Sequence, residues 1–129
     1  MSLDLAKRAV ASPHWKWLPG MAGQDALGVP FRVALAHHSG GAMVVAGMAF
    51  MPAYPDALAR MVPDLSDPAT LGCLLALVRE AWKSPVAQVS PSLPDGHLWT
   101  CYINDEAEDR FFREKTEAEA LLAALEAAP

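Results

Sequence analysis

The chain has 129 residues, 53% hydrophobic and 19% charged, a composition that suits a globular domain and excludes a disordered one. Ten basic against fifteen acidic residues leave a net charge of −5, so general polyanion binding, which rests on Lys and Arg neutralising phosphates, is not expected. Two cysteines, Cys73 and Cys101, cannot build a disulfide framework, and the nearly unbroken apolar run 42–53 is shorter than the roughly 20 residues that span a bilayer.

The length fits one domain covering residues 1–129. Ser2 can cap a first helix over 3–11, with Leu5, Ala6, Ala9 and Val10 facing inward and Pro13 ending it through Ser12. Phe31, Val33 and Leu35 alternate with Arg32, Ala34 and Ala36, which predicts a strand. The turn His37-His38-Ser39-Gly40-Gly41 follows, and 42–50 completes a hairpin. One or two further helical turns are expected in 54–61. Asp67 is an N-cap and Pro68 sits at the first helical position, where its missing N–H is harmless. Leu71, Leu74, Leu75, Val78 and Trp82 then follow helical spacing, and Cys73, Leu77 and Ala81 widen the stripe. A helix this apolar is expected at the centre, with Gly72 and Ala76 small enough for a neighbour to approach. Pro85 blocks its continuation.

A short strand is expected over 86–90 and a turn at Pro94-Asp95-Gly96. The next strand, 97–103, places Leu98, Thr100 and Tyr102 on one face and Trp99, Cys101 and Ile103 on the other. An acidic loop, 104–109, leads to a last strand over 110–114. Thr116-Glu117-Ala118-Glu119 is a capping box, and Ala118, Leu121, Leu122 and Leu125 form the stripe of a final helix. The order α-ββ-α-βββ-α predicts an α+β fold: an antiparallel sheet with a central apolar helix, a C-terminal helix and a short N-terminal helix.

The motifs of familiar chemistries are missing from the sequence. It has no Gly-x-Gly-x-x-Gly, no P-loop and no Gly-x-Ser-x-Gly, and Gly40-Gly41 reads as a turn. No Cys-x-x-Cys or His-x-x-x-His offers metal-ligand spacing, and His37-His38 sit in a turn where neighbouring side chains diverge. The run 105–109 lacks the spacing and the glycine of a calcium loop. His97 and Cys101 share a strand face but lie roughly 13 Å apart at 3.3 Å per residue, too far for a dyad. The reading is therefore a non-enzymatic protein without catalytic residues, cofactor or metal. An enzyme would require the fold to gather His37, His38 or His97 with a carboxylate.

Trp15, Trp17 and Met21 are the candidate protein-binding residues. The two tryptophans share strand parity, and Trp is enriched in interface hot spots. The competing reading makes them a lid that folds the first helix onto the sheet. Trp82 and Trp99 are expected in the core, as are Met43, Met48, Met51 and Met61. If the first hairpin is a sheet edge, its apolar run 43–50 invites pairing with a second subunit, so a homodimer is a further expectation. The alternative is a nucleic-acid-associated or antitoxin-like regulator, which requires Lys7, Arg8, Arg79, Lys83, Arg110 and Arg113 to share one face. The helix, three strands, helix order from Pro68 onward is also that of a double-stranded-RNA-binding domain. However, the last helix starts Thr-Glu-Ala-Glu where such domains carry lysines.

Three sequence blocks carry a resemblance. Residues 15–21 (Trp-Lys-Trp-Leu-Pro-Gly-Met), 63–75 (from Pro-Asp-Leu-Ser-Asp-Pro-Ala-Thr to Leu-Leu) and 116–121 (Thr-Glu-Ala-Glu-Ala-Leu) resemble a family of small tailed-phage and prophage proteins, similar to the α/β/α-sandwich domains of phage genomes. The segment 22–62 takes no part in it. The resemblance implies a phage or prophage origin and the bacterial cytoplasm as the place of work. It brings no assigned activity and no functional residues.

Overall fold

A computed structural model describes residues 3–37, 41–46, 49–53, 60–92 and 96–129. The architecture is α+β, with the expected order of helix, strands, helix, three strands and helix. The described helices are α1 (Leu3–Ala11), α2 (Pro68–Trp82) and α3 (Glu117–Ala127). Strands β1 (Ala22–Gln24), β2 (Pro30–His37), β3 (Gly41–Ala46), β4 (Ala49–Ala53) and β5 (Val62–Pro63) form an antiparallel sheet in the order β4-β3-β2-β1-β5. Strands β6 (Gln88–Pro91), β7 (Trp99–Asn104) and β8 (Asp109–Glu114) form a second, in the order β6-β7-β8. Residue contacts gather into two compact units, Met1–Ala11 with Lys16–Thr70 and Ser12–Trp15 with Leu71–Pro129.

In the first unit α1 buries Ala6 and Ala9 and half-buries Leu5 and Val10, the four residues its spacing selects. It lies against β5. The β2–β3 hairpin forms with Arg32 opposite Val45. The run 42–50 is not one strand, however. β3 stops at Ala46, and β4 returns antiparallel from Ala49, with Ala46 opposite Ala49. An unbroken apolar run has no polar residue to mark a reversal, and Gly47 was its one sequence cue. The expected edge therefore moves, leaving β3 internal and β4 at the edge among the described residues. Most of the expected helical segment 54–61 lies outside the described residues. So do 38–40 of the first turn, 93–95 of the second, and the side chains of Met43, Met48 and Met51. Met61 is buried, as its core assignment requires.

β1 and β5 are too short to show a period-2 pattern. Their pairing depends on Gly23, where a Cβ would lie 2.6 Å from the Val62 carbonyl oxygen, 2.8 Å from the Phe31 ring and 3.0 Å from the Trp17 ring. A glycine here lets backbone and two aromatic rings close together.

A polar junction ties these strands to the first turn of α2. The Asp67 carboxylate accepts from the Thr70 backbone N–H at 2.9 Å and its hydroxyl at 3.0 Å, the N-cap that the sequence predicts. Arg32 donates to both Asp67 oxygens at 3.0 and 3.2 Å and to the Gly20 carbonyl at 2.6 Å. The buried Thr70 hydroxyl accepts from the Ala22 backbone N–H at 2.8 Å. The Arg32 hydrogen bonds hold the Asp67 carboxyl down at about 2 against the partial desolvation that would raise it.

In the second unit α2 buries Leu74, Leu77 and Val78 but leaves Gly72, Ala76, Arg79 and Glu80 exposed. α2 thus keeps a wet side, and the expected close approach of a neighbour at Gly72 is corrected. The small residues lie on that side, and a Cβ on Gly72 would meet nothing within 4 Å among the described residues. α2 ends in a Schellman turn. Lys83 takes φ +52°, Lys83 N–H donates to the Glu80 carbonyl at 3.2 Å and Ser84 N–H to the Arg79 carbonyl at 2.9 Å, ahead of Pro85. The Thr116 hydroxyl accepts from Glu119 N–H at 3.1 Å and starts α3. α3 buries Ala118, Ala120, Leu121, Leu122, Ala124 and Leu125 and covers one face of β6-β7-β8.

Gly23→Ala is expected to lower the stability of the first unit by about 1–3 kcal/mol, because the nearest obstacle is backbone and cannot swing aside. Urea unfolding against wild type measures it. Asp67→Ala removes the cap and the Arg32 pair together and is expected to cost about 1–2 kcal/mol near neutral pH. Because the folded carboxyl titrates below its unfolded value, its contribution is complete above about pH 4 and fades as pH falls towards 2. The gap between variant and wild type in urea midpoint should narrow over that interval.

Candidate functional site

The three residues singled out from sequence have different surroundings. Met21 is fully buried, and its sulfur accepts from Leu18 N–H at 3.2 Å. Its proposed surface role is corrected: it is a core residue, because the chain turns inward at Leu18–Met21 to join β2, where Val33 N–H donates to its carbonyl at 2.8 Å. Trp17 is half-buried, with its ring 5.4 Å from Phe31 at 54°. Trp15 is half-buried in the second unit, its backbone N–H donating to Ser12. Of the histidines, His14 Nε2 donates to the Ala128 carbonyl at 3.3 Å and His97 is exposed. The side chains of His37 and His38 lie outside the described residues. No cluster of three or more potential metal ligands occurs among the described residues.

The second sheet brings together residues that the sequence reading did not combine. Its register sets Gln88 opposite Tyr102, Ser90 opposite Thr100, Tyr102 opposite Phe111, and Thr100 opposite Arg113. Strand alternation puts all six on one face and leaves Cys101, Ile103 and Phe112 on the face that α3 covers. Gln88, Ser90, Phe111 and Arg113 are exposed, and Thr100 and Tyr102 half-buried. Phe111 keeps 56% of its surface accessible, a large value for an aromatic residue in mid-strand. Its ring lies 5.4 Å from that of Tyr102 at 45°, and the Arg113 guanidinium lies 5.8 Å above it. The Tyr102 hydroxyl donates to Asp109 at 2.9 Å, which holds the phenol at the end of the face and raises its pKa. Ser92 and Thr100 hydroxyls share a hydrogen bond further along.

The helix-covered face is chemically quieter. Cys101 is buried there, and desolvation pushes its thiol up to about 11. Trp82, half-buried and so not wholly in the core, donates its indole N–H to the Ala124 carbonyl at 2.7 Å and lies 6.2 Å from Phe112. Arg110 sits 5.3 Å over the Trp82 ring and pairs with Asp105 at 3.2 Å and Glu108 at 3.4 Å. The single basic face is therefore corrected. Arg110 and Arg113, three apart on one strand, point to opposite sides, because parity outranks charge.

The sequence signal for the open face was present. Asp109, Phe111 and Arg113 alternate with Arg110, Phe112 and Glu114, so each face of the last strand carries one Phe and one Arg. Composition could not say which phenylalanine was covered. Comparison of the chain with protein-family models, with curated proteins and with solved structures gives no match. No helix among the described residues is long and apolar enough to cross a membrane.

Cys101 is expected to resist alkylation at pH 8 in the native protein and to react in urea. Peptide mass spectrometry before and after denaturation reads this; ready native labelling at Cys101 would contradict the burial.

Proposed function

We propose that the chain is a non-enzymatic protein-binding module that grips its partner through the open face of β6-β7-β8. The observation carrying this reading is the exposed Phe111, lying beside half-buried Tyr102 with Arg113 above it and bordered by Gln88, Ser90 and Thr100. Tyr, Phe and Arg are the residue types enriched at the centres of protein interfaces, and hydroxyls and amides suit a rim. The phage-like blocks support an accessory protein of phage or prophage origin, acting in the bacterial cytoplasm on a host or phage protein. An aromatic pair with an arginine could also stack bases. The basic residues needed to follow a phosphate backbone are not collected on this face, since Arg110 is turned away and paired with carboxylates.

The test is a pull-down from bacterial lysate with wild type, Ser90→Arg and Leu27→Ser. Ser90 is exposed on the border of the face, opposite Thr100, so a bulky charged arginine there should abolish capture of a stoichiometric protein without unfolding the domain. Leu27, exposed in the β1–β2 turn of the first unit, serves as control and should leave capture intact. Loss with both variants, loss with neither, or salt-dependent binding of a single-stranded oligonucleotide with no protein captured would each overturn the reading.

A further inference from the structure

Three of the four free strand edges among the described residues carry a proline at a telling position. Pro52 of β4 is opposite Met43, Pro63 of β5 opposite Gly23, and Pro91 of β6 opposite Trp99. A proline has no N–H to give its neighbour, so each stands at a non-hydrogen-bonded pair with its nitrogen towards the open edge. The flanking bonds agree: Asp64 N–H reaches the Ala22 carbonyl and Ser92 N–H the Leu98 carbonyl, both at 2.8 Å. Each proline removes an outward donor from its edge, a recognised barrier to strand addition.

β8 is the fourth edge, and it has six residues and no proline. Asp105 N–H donates to the Glu108 carbonyl at 3.2 Å, which makes that pair hydrogen-bonded. Alternation then bonds Arg110, Phe112 and Glu114 to β7 and turns the N–H and C=O groups of Asp109, Phe111 and Arg113 outward. The side chains of these three lie on the open face. In order they are acid, aromatic and base.

We propose that β8 pairs antiparallel with β8 of a second copy of this chain, about a two-fold axis at Phe111. In that register Phe111 is opposite its own equivalent. Asp109 is opposite the second copy's Arg113, and Arg113 opposite its Asp109. All six outward donors of the two strands meet outward acceptors, and two opposite-charge cross-strand pairs flank the aromatic centre. The acid–aromatic–base order is complementary to itself only when read antiparallel, which is the symmetry of an isologous dimer. The pairing joins two three-stranded sheets into one of six strands and sets the two Tyr102–Phe111 pairs side by side. It differs from the homodimer expected at the first hairpin, whose β4 edge Pro52 obstructs. It holds whether or not the open face also binds another protein.

Light scattering on the full chain across a concentration series tests the proposal. Wild type should reach twice the 13.8 kDa chain mass. Phe111→Pro gives β8 the same obstruction as the other three edges and should leave a monomer. Asp109→Arg and Arg113→Asp each set like charges opposite one another and should weaken dimerisation about tenfold or more. Mixed in equal amounts, these two charge variants restore both complementary pairs and should form a heterodimer. That rescue also answers any doubt about folding of a single variant. A wild-type monomer throughout the series, a dimer indifferent to all three substitutions, or no recovery on mixing would overturn the proposal. Ser90→Arg should stay dimeric, which separates failure here from failure of the partner-binding reading.

Discussion

A strand residue directs its backbone N–H and C=O to one side only, and the side alternates along the chain. This constraint organises both sheets. It fixes where proline is tolerated, because a ladder position can lack an N–H only when that N–H would face away from the neighbour. Pro52, Pro63 and Pro91 all satisfy it, so they sit within strands without breaking them. The same alternation makes β8 two-faced, with Phe112 and Arg110 towards α3 and Phe111 and Arg113 towards solvent.

Within the first unit, regular pairing alone would leave β1 and β5 marginal, since three and two residues bury little surface. Specific side-chain chemistry reinforces them. The Asp67 carboxylate caps α2, grips the Arg32 guanidinium and holds the Thr70 hydroxyl, which in turn receives the Ala22 N–H. The Arg32 end is half exposed, so the pair's electrostatic contribution is screened by water. The greater contribution is geometric. One carboxylate satisfies free donors at the helix start and orients the hydroxyl that binds β1.

The second unit has two chemically different faces. On the α3 side, leucines, Ile103 and the buried Cys101 fill an apolar layer. On the other side exposed Phe111, half-buried Tyr102, Arg113 and small polar residues form a surface that packing within the unit does not require. The proposed partner site and the proposed dimer edge both draw on that freedom, since a covered Phe111 could serve neither.

The residues alone settled the α+β class, the helices at 3–11, 68–82 and 117–127, the Asp67 and Thr116 caps, and the shared strand face of Cys101 and Ile103. These are local properties: helical periodicity, capping chemistry and strand parity act within a few residues. Only the tertiary structure decided that the run 42–50 folds back on itself, that Met21 is core, and that Gly72 and Ala76 face water. It also decided that Tyr102, Phe111 and Arg113 converge on an uncovered face. The physical reason is the same in each case. A single strand or helix shows which residues share a face, but what covers that face depends on residues distant in sequence. Register, which set Tyr102 opposite Phe111 and gave Asp109, Phe111 and Arg113 an open edge, is a property of paired strands that no one segment contains.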